Sequence, residues 1–139
     1  MKNPIARKRV ILKTKKTAGK VMNIESLRTY CLKKKGVTEE FPFGPDTLVF
    51  KVKGKVFLLT SLDSETFRFN VKCDPDKAIE LRERYDAIQP GYHMNKKHWN
   101  TVIVDGRLSQ QLLREMIDDS YELVVQSLPK KTREGLSNE

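Results

Sequence analysis

Apolar and polar positions repeat with two different periods along this chain, and the changes of period outline its elements. From Asn23 onward, Ile24, Leu27, Tyr30 and Cys31 recur at helical spacing, with Asn23 able to cap the first turn and Gly36 to end the helix. The stretch GVTEEFPFGPD carries two prolines and two glycines and predicts a loop, with Phe41 and Phe43 folded onto the core. Thr47–Lys53 then alternates, Lys53-Gly54 makes a tight turn, and Val56–Ser61 returns, which is the pattern of a β-hairpin. In Thr66–Lys72 the apolar Phe67, Phe69 and Val71 interleave with Arg68, Asn70 and Lys72, predicting a third antiparallel strand with one covered face.

Asp74-Pro75 combines an acceptor side chain at the cap with proline at the first helical position, so a helix is expected to about Tyr85, burying Ala78 and Leu81. Ile88–Met94, interrupted by Pro90-Gly91, reads as irregular or extended. Trp99–Val104 predicts a strand closed by the Asp105-Gly106 turn. Ser109 then caps a long helix whose face carries Leu112, Leu113, Met116, Ile117, Tyr121, Val124, Val125 and Leu128. Pro129 stops it, and the last ten residues are expected to fray. Short antiparallel strands in succession, with helices kept apart from them, predict an α+β domain whose sheet is covered on one face, not a doubly wound parallel sheet.

The formal charge of +9 suggests nucleic acid, but its distribution changes that picture. Residues 1–21 contain eight Lys and Arg and no acid, whereas residues 22–139 hold 19 basic side chains against 18 acidic ones. The expected organisation is therefore a basic extension over 1–21 and a single domain over 22–139, with its core at about 22–133. The extension admits three readings: an addition upstream of a domain that starts at Met22, an unfolded arm that touches phosphates, or an ordered element. Its apolar run, Val10-Ile11-Leu12, is too short for a secretory signal, and no run approaches the roughly 18 residues of a membrane span. A cytoplasmic protein with no membrane partner is expected. Cys31 and Cys73 lie far apart, without a CxxC or a histidine at ligand spacing, and read as reduced, buried thiols.

Glycine-rich nucleotide loops, HExxH, GxSxG and EF-hand patterns are all absent, so neither a catalytic residue nor a cofactor is expected. Asp63, Glu65 and Asp105 sit at turns and read as solvated carboxylates. Functional side chains are densest from Pro90 to Thr101. His93 and His98 are five apart, which suits neither a helical metal pair nor one face of a strand, so no metal site is expected. Binding chemistry fits this segment better. Lys96 and Lys97 supply charge for phosphates, Asn95 and Asn100 pair a donor with an acceptor, and Tyr92 and Trp99 offer stacking surfaces. A structural reading stands beside it, in which Trp99 anchors a strand, His98 is its satisfied neighbour, and Asn95 caps a short turn over Lys96–His98.

These residues also carry a family resemblance. PGYHMNKKHWNTVIVDG, with FPFG at 41–44, VFKVKGKVF at 49–57, NVKCDP at 70–75 and SYELVVQSLPKK at 120–131, resembles the MmcQ/YjbR-like family from about Met22 to Arg133. The family's HxNKxHWNT core corresponds here to His93, Asn95, Lys96, His98, Trp99, Asn100 and Thr101. The extension has no counterpart in the family pattern. The resemblance implies a five-stranded antiparallel sheet in the order α-β(3)-α-β(2)-α, similar to secretion chaperones, with a fourth strand near Tyr92–Met94. It also implies DNA binding of a "double wing" type, without establishing a reaction or cofactor.

Three functions are expected on these grounds. In the first, the hairpin lysines Lys51, Lys53 and Lys55, with Lys51 and Lys53 on one face, join Asn95, Lys96, Lys97, His98 and Asn100 on DNA, and Lys33–Lys35 form a further patch. In the second, the near-neutral domain docks an unidentified protein partner, as a chaperone-like module would. In the third, His93 or His98 serves a small-molecule site or an enzyme, in a pocket formed by Phe43, Tyr92, His93 and Trp99.

Overall fold

The computed structural model describes residues 22–91 and 94–139; the basic extension, Tyr92 and His93 lie outside the described residues. The elements are α1 (Ile24–Leu32), β1 (Val37–Glu40), β2 (Thr47–Val52), β3 (Lys55–Ser61), β4 (Arg68–Lys72), α2 (Pro75–Arg84), β5 (Ile88–Pro90), β6 (Trp99–Ile103), α3 (Gln110–Gln126) and α4 (Lys130–Ser137). The strands form one antiparallel sheet in the order β1-β2-β3-β4-β6-β5.

The three cap signals act as the sequence predicts. Asn23 Oδ1 accepts from the Ser26 amide at 2.9 Å while Ser26 Oγ accepts from the Asn23 amide, a reciprocal cap on α1. The Asp74 carboxylate accepts from the Lys77 amide, with Pro75 opening α2, and Ser109 Oγ accepts from Leu112 to start α3.

Register divides the sheet into two faces. Leu48, Phe50, Val52, Leu58, Phe69, Val71 and Val102 fall on one face, in a single core cluster with Leu27 and Cys31 of α1, Leu81 of α2, Ile117 and Val124 of α3, and Leu136 of α4. Val49, Leu59, Asn70, Lys72, Trp99 and Thr101 fall on the opposite face. Across that face, Lys51 pairs with Glu40 at 2.9 Å beside the buried Val49.

A β-bulge sits in the middle of the core. Phe50 pairs with Leu58 but Lys51 with Val56, so Phe57 has no partner across the hairpin. Its ring packs edge-on against Tyr121 at 5.5 Å, and its carbonyl accepts from Ser120 Oγ at 2.5 Å. The same hydroxyl accepts from the Lys72 amide at 2.8 Å. One fully buried serine on α3 thus satisfies two backbone groups that the interrupted ladder would strand, a need that outweighs its weak helix preference.

Among the described residues the sheet has six strands, not five. The extra one, β1, lies inside the predicted loop and is an edge strand held by charge: Arg28 of α1 grips Glu39 through two bonds of 2.8 and 2.7 Å. That grip holds the Glu39 carboxyl below the usual carboxylate range. A strand occupies Ile88–Pro90, while Tyr92 and His93 of the strand expected near Tyr92–Met94 lie outside the described residues. Phe41 and Phe43 do not fold onto the core; they are 51% and 70% exposed on the loop beyond β1. The polar C-terminus does not simply fray either, because α4 docks through Leu136. Both cysteines are free and buried, and burial pushes the Cys31 thiol up to about 12, which leaves it a poor nucleophile at neutral pH. No helix among the described residues is long and apolar enough to cross a membrane.

Gly36 shows how tightly α4 is seated. Its φ is +74°, and a Cβ there would lie 2.6 Å from Leu136 Cδ1. Gly36→Ala should lower the unfolding free energy by about 1–2 kcal/mol through left-handed backbone strain alone and loosen α4 as well. Gly135, inside α4, has nothing within 4 Å of an added Cβ, so Gly135→Ala should stabilise by about 0.5–1 kcal/mol. Urea unfolding with amide exchange over 130–137 separates the two, and equal effects would mean that Leu136 is not held by Gly36.

Candidate functional site

The strand register brings the segments singled out from sequence to one end of the sheet. The β2–β3 turn is built on Lys53 and Gly54, with φ +49° and +87°. Lys72, at the end of β4, faces Trp99, at the start of β6, and Pro90 faces Asn100. Only β4 lies between β3 and β6, so the turn and the Asn95–His98 loop are separated by two strand spacings, about 10 Å. The opposite end of the sheet carries the loops with Asp46, Asp63, Glu65 and Asp105, the last paired with Arg107 at 2.8 Å. The turn end has acids of its own, Asp74 just after β4 and Glu139 beside Lys53, so neither end carries one sign of charge alone.

The loop is a small built unit. Asn95 Oδ1 accepts from the Lys97 amide at 3.0 Å, and its carbonyl accepts from the amides of His98 and Trp99, both at 3.0 Å. The His98 carbonyl in turn accepts from the Cys73 amide at 2.7 Å, which ties the loop to the end of β4. Gly91 donates to the Trp99 carbonyl at 2.9 Å, and a Cβ on Gly91 would come 2.9 Å from that of Trp99. Glycine after Pro90 is thus required by close approach of the two chain segments.

The residue that fixes this loop is not one that its position in the sequence singles out. Arg82, near the end of α2, donates from Nε to Asn100 Oδ1 at 2.7 Å and from Nη2 to the carbonyls of Lys96 and Trp99. A planar guanidinium suits this forked task better than an ammonium would. In sequence Arg82 is one of two arginines in a helix's last turn, where a favourable interaction with the helix dipole is reason enough for it.

The predicted site residues separate accordingly. Asn100 is 1% exposed, faces the helix-covered side opposite Val71, and is occupied by Arg82, so it is no reader of bases. Asn95 is the turn's cap, as the structural reading holds. Lys51 is paired with Glu40, and Lys53 with Glu139 at 2.5 Å. Lys53 does not share a strand face with Lys51, because it occupies the turn itself. Lys55 and Lys97 are exposed, and neither ammonium has an ion-pair partner among the described residues. The proposed pocket does not form between Phe43 and Trp99, which belong to opposite ends of the sheet: Phe43 follows Glu40, whereas Trp99 lies level with Lys72. Trp99 is half-buried and outside the core cluster. Tyr92 and His93 fall outside the described residues.

A one-layer antiparallel sheet covered by helices on one face, with a loop pinned to its end by an arginine, defines a small α+β domain. The YjbR family model matches residues 32–123. The uncharacterised protein YbdF of Escherichia coli O157:H7 is 46% identical over 91 residues, 66% of this chain and 75% of YbdF. YjbR of Escherichia coli K12 is 30% identical over 115 residues, 83% of this chain and 98% of that protein. Among solved structures, Deinococcus radiodurans DR2400, a DUF419 domain, superposes with a TM-score of 0.78 at 38% identity, over 85% of this chain and 88% of its own. A Pseudomonas syringae protein superposes with a TM-score of 0.65 at 29% identity, over 73% and 98%. The chain belongs to the YjbR family.

Removing the Arg82 side chain would leave Asn100 Oδ1 buried without a donor, so Arg82→Ala should cost about 1–3 kcal/mol in urea unfolding. Amide protection at His98 and Trp99 should fall with it, and Arg82→Lys should restore only part of both. A variant with unchanged stability and unchanged protection would show that the loop holds its shape without the arginine.

Proposed function

We propose that this domain binds nucleic acid through the phosphate backbone, using the turn end of its sheet. The observation that carries this reading is the convergence of the hairpin turn and the Asn95–His98 loop on that end. Lys55 and Lys97 are the contacting cations, since their charge is not spent on carboxylates of the chain. Lys51 and Lys53 act as paired struts that hold the hairpin. Arg82 serves by pre-forming the loop, so that ordering it costs little on binding. In this reading the domain is a binding module and carries out no reaction. Its near-neutral sum makes it a modest binder, and the eight cations of residues 1–21 add a sequence-independent attraction.

Exposed Phe41 and Phe43, on a loop at the opposite end, favour a second role in which that end docks a protein. The two roles use opposite ends of the sheet and do not compete.

The nucleic-acid reading is tested by measuring duplex binding across a salt series. Both the full chain and a chain with the basic residues of 1–21 changed to glutamine are needed. Each phosphate contact contributes about 0.9 to the slope of log affinity against log salt, so Lys55→Ala with Lys97→Ala should flatten it by about 2 in both backgrounds. A slope unchanged in both would remove the sheet end from the interface.

A further inference from the structure

Away from the pinned loop, the turn at Lys33–Lys35 after α1 borders, with α3 and α4, an open concavity of about 680 Å³. It exists because α4 docks on Gly36, which brings together residues from the two ends of the domain: Lys35 Nζ lies 3.4 Å from the Ser137 carbonyl, 102 positions away. Five cationic side chains line it, Lys33, Lys34, Lys35, Lys130 and Arg133, against two carboxylates, Glu122 and Glu134.

Their commitments differ. Lys34 is consumed by the fold, with its ammonium 2.5 Å from Asp118 and over the rings of Tyr30 and Tyr121 at 4.8 and 5.2 Å. Arg133 is oriented by bonds from Nε to the Leu128 carbonyl and from Nη1 to Gln126, which leaves Nη2 uncommitted. Lys33 and Lys130 are exposed, and their ammonium groups have no ion-pair or hydrogen-bond partner among the described residues. Like charges gathered over one concavity repel each other, and an anion seated between them relieves that repulsion. The Tyr121 ring, Val125 and Leu136 add apolar surface to the same hollow, and Tyr121 holds its Lys35 wall by donating to the Lys35 carbonyl at 2.7 Å.

We propose that this hollow binds a small organic polyphosphate of nucleotide size, with Lys33, Lys130 and Arg133 on the phosphates and the Tyr121–Val125–Leu136 surface against the organic part. The volume falls within the usual range for small-molecule sites, about 300–1,000 Å³, and suits one nucleotide rather than a duplex. Lysines act here as point charges, so they select phosphate charge more than a particular base. The proposal does not rest on the nucleic-acid reading, and it uses neither Lys55 nor Lys97.

The test is an NMR titration of the full chain at low ionic strength with ATP, inorganic pyrophosphate and adenosine, reading the methyl signals of Val125 and Leu136. ATP should shift these signals saturably, pyrophosphate should do so more weakly, and adenosine should leave them in place. Lys33→Ala with Lys130→Ala should weaken ATP at least about tenfold, a single charged hydrogen bond's worth, while the melting temperature stays near that of the parent. Lys55→Ala with Lys97→Ala should leave ATP affinity unchanged, whatever it does to duplex binding. The proposal is overturned if ATP fails to saturate, if adenosine binds as well as ATP, or if the Lys33/Lys130 variant keeps full affinity.

Discussion

A single row of apolar side chains, Leu48, Phe50, Val52, Leu58, Phe69, Val71 and Val102, has to be removed from water, and every helix of the domain is drawn to that one side of the sheet. Cover for one face governs most of the remaining architecture. It brings α3 across β3 and β4, where Ser120 closes the gap that the Phe57 bulge opens in the ladder. It leaves connections to gather at the two ends of the strands, where they are free to carry charge. Which connections meet at each end follows from strand direction and order.

Local signals were legible because they depend on neighbours in sequence. Asn23, Asp74 and Ser109 each bond an amide three positions on, and the caps stand where the residue types place them. The strand β1 was not legible, because VTEE has no alternation of apolar and polar residues and is held instead by Arg28 and Lys51 reaching its two glutamates. Nor was α4, whose KKTREGLS carries one leucine and gains its place only from the hollow above Gly36. Asn100 was misread for a different reason. In WNTVIV both parities hold apolar residues, so the side facing the helices could not be chosen from the pattern. Once Asn100 lies opposite Val71, its polar group must be satisfied internally, and Arg82 supplies one partner from α2.

The family signature changes meaning in this light. Asn95, Gly91 and Asn100 within it are structural: a cap, a close approach and a buried acceptor. What they shape is a short loop presenting Lys97 at the same end of the sheet as the hairpin's Lys55. Counting lysines overstated the surface, since Lys34, Lys51 and Lys53 each face a carboxylate of the chain.

The central claim is that the turn end of the sheet is the nucleic-acid surface. Amide chemical-shift mapping of the full chain with a short duplex tests it most directly. The account predicts perturbations grouped over 53–55 and 95–99, from two connections that are about 40 positions apart in sequence but adjacent at one sheet end. Shifts confined to residues 1–21, or centred on the loops of Asp46, Asp63 and Asp105, would contradict it.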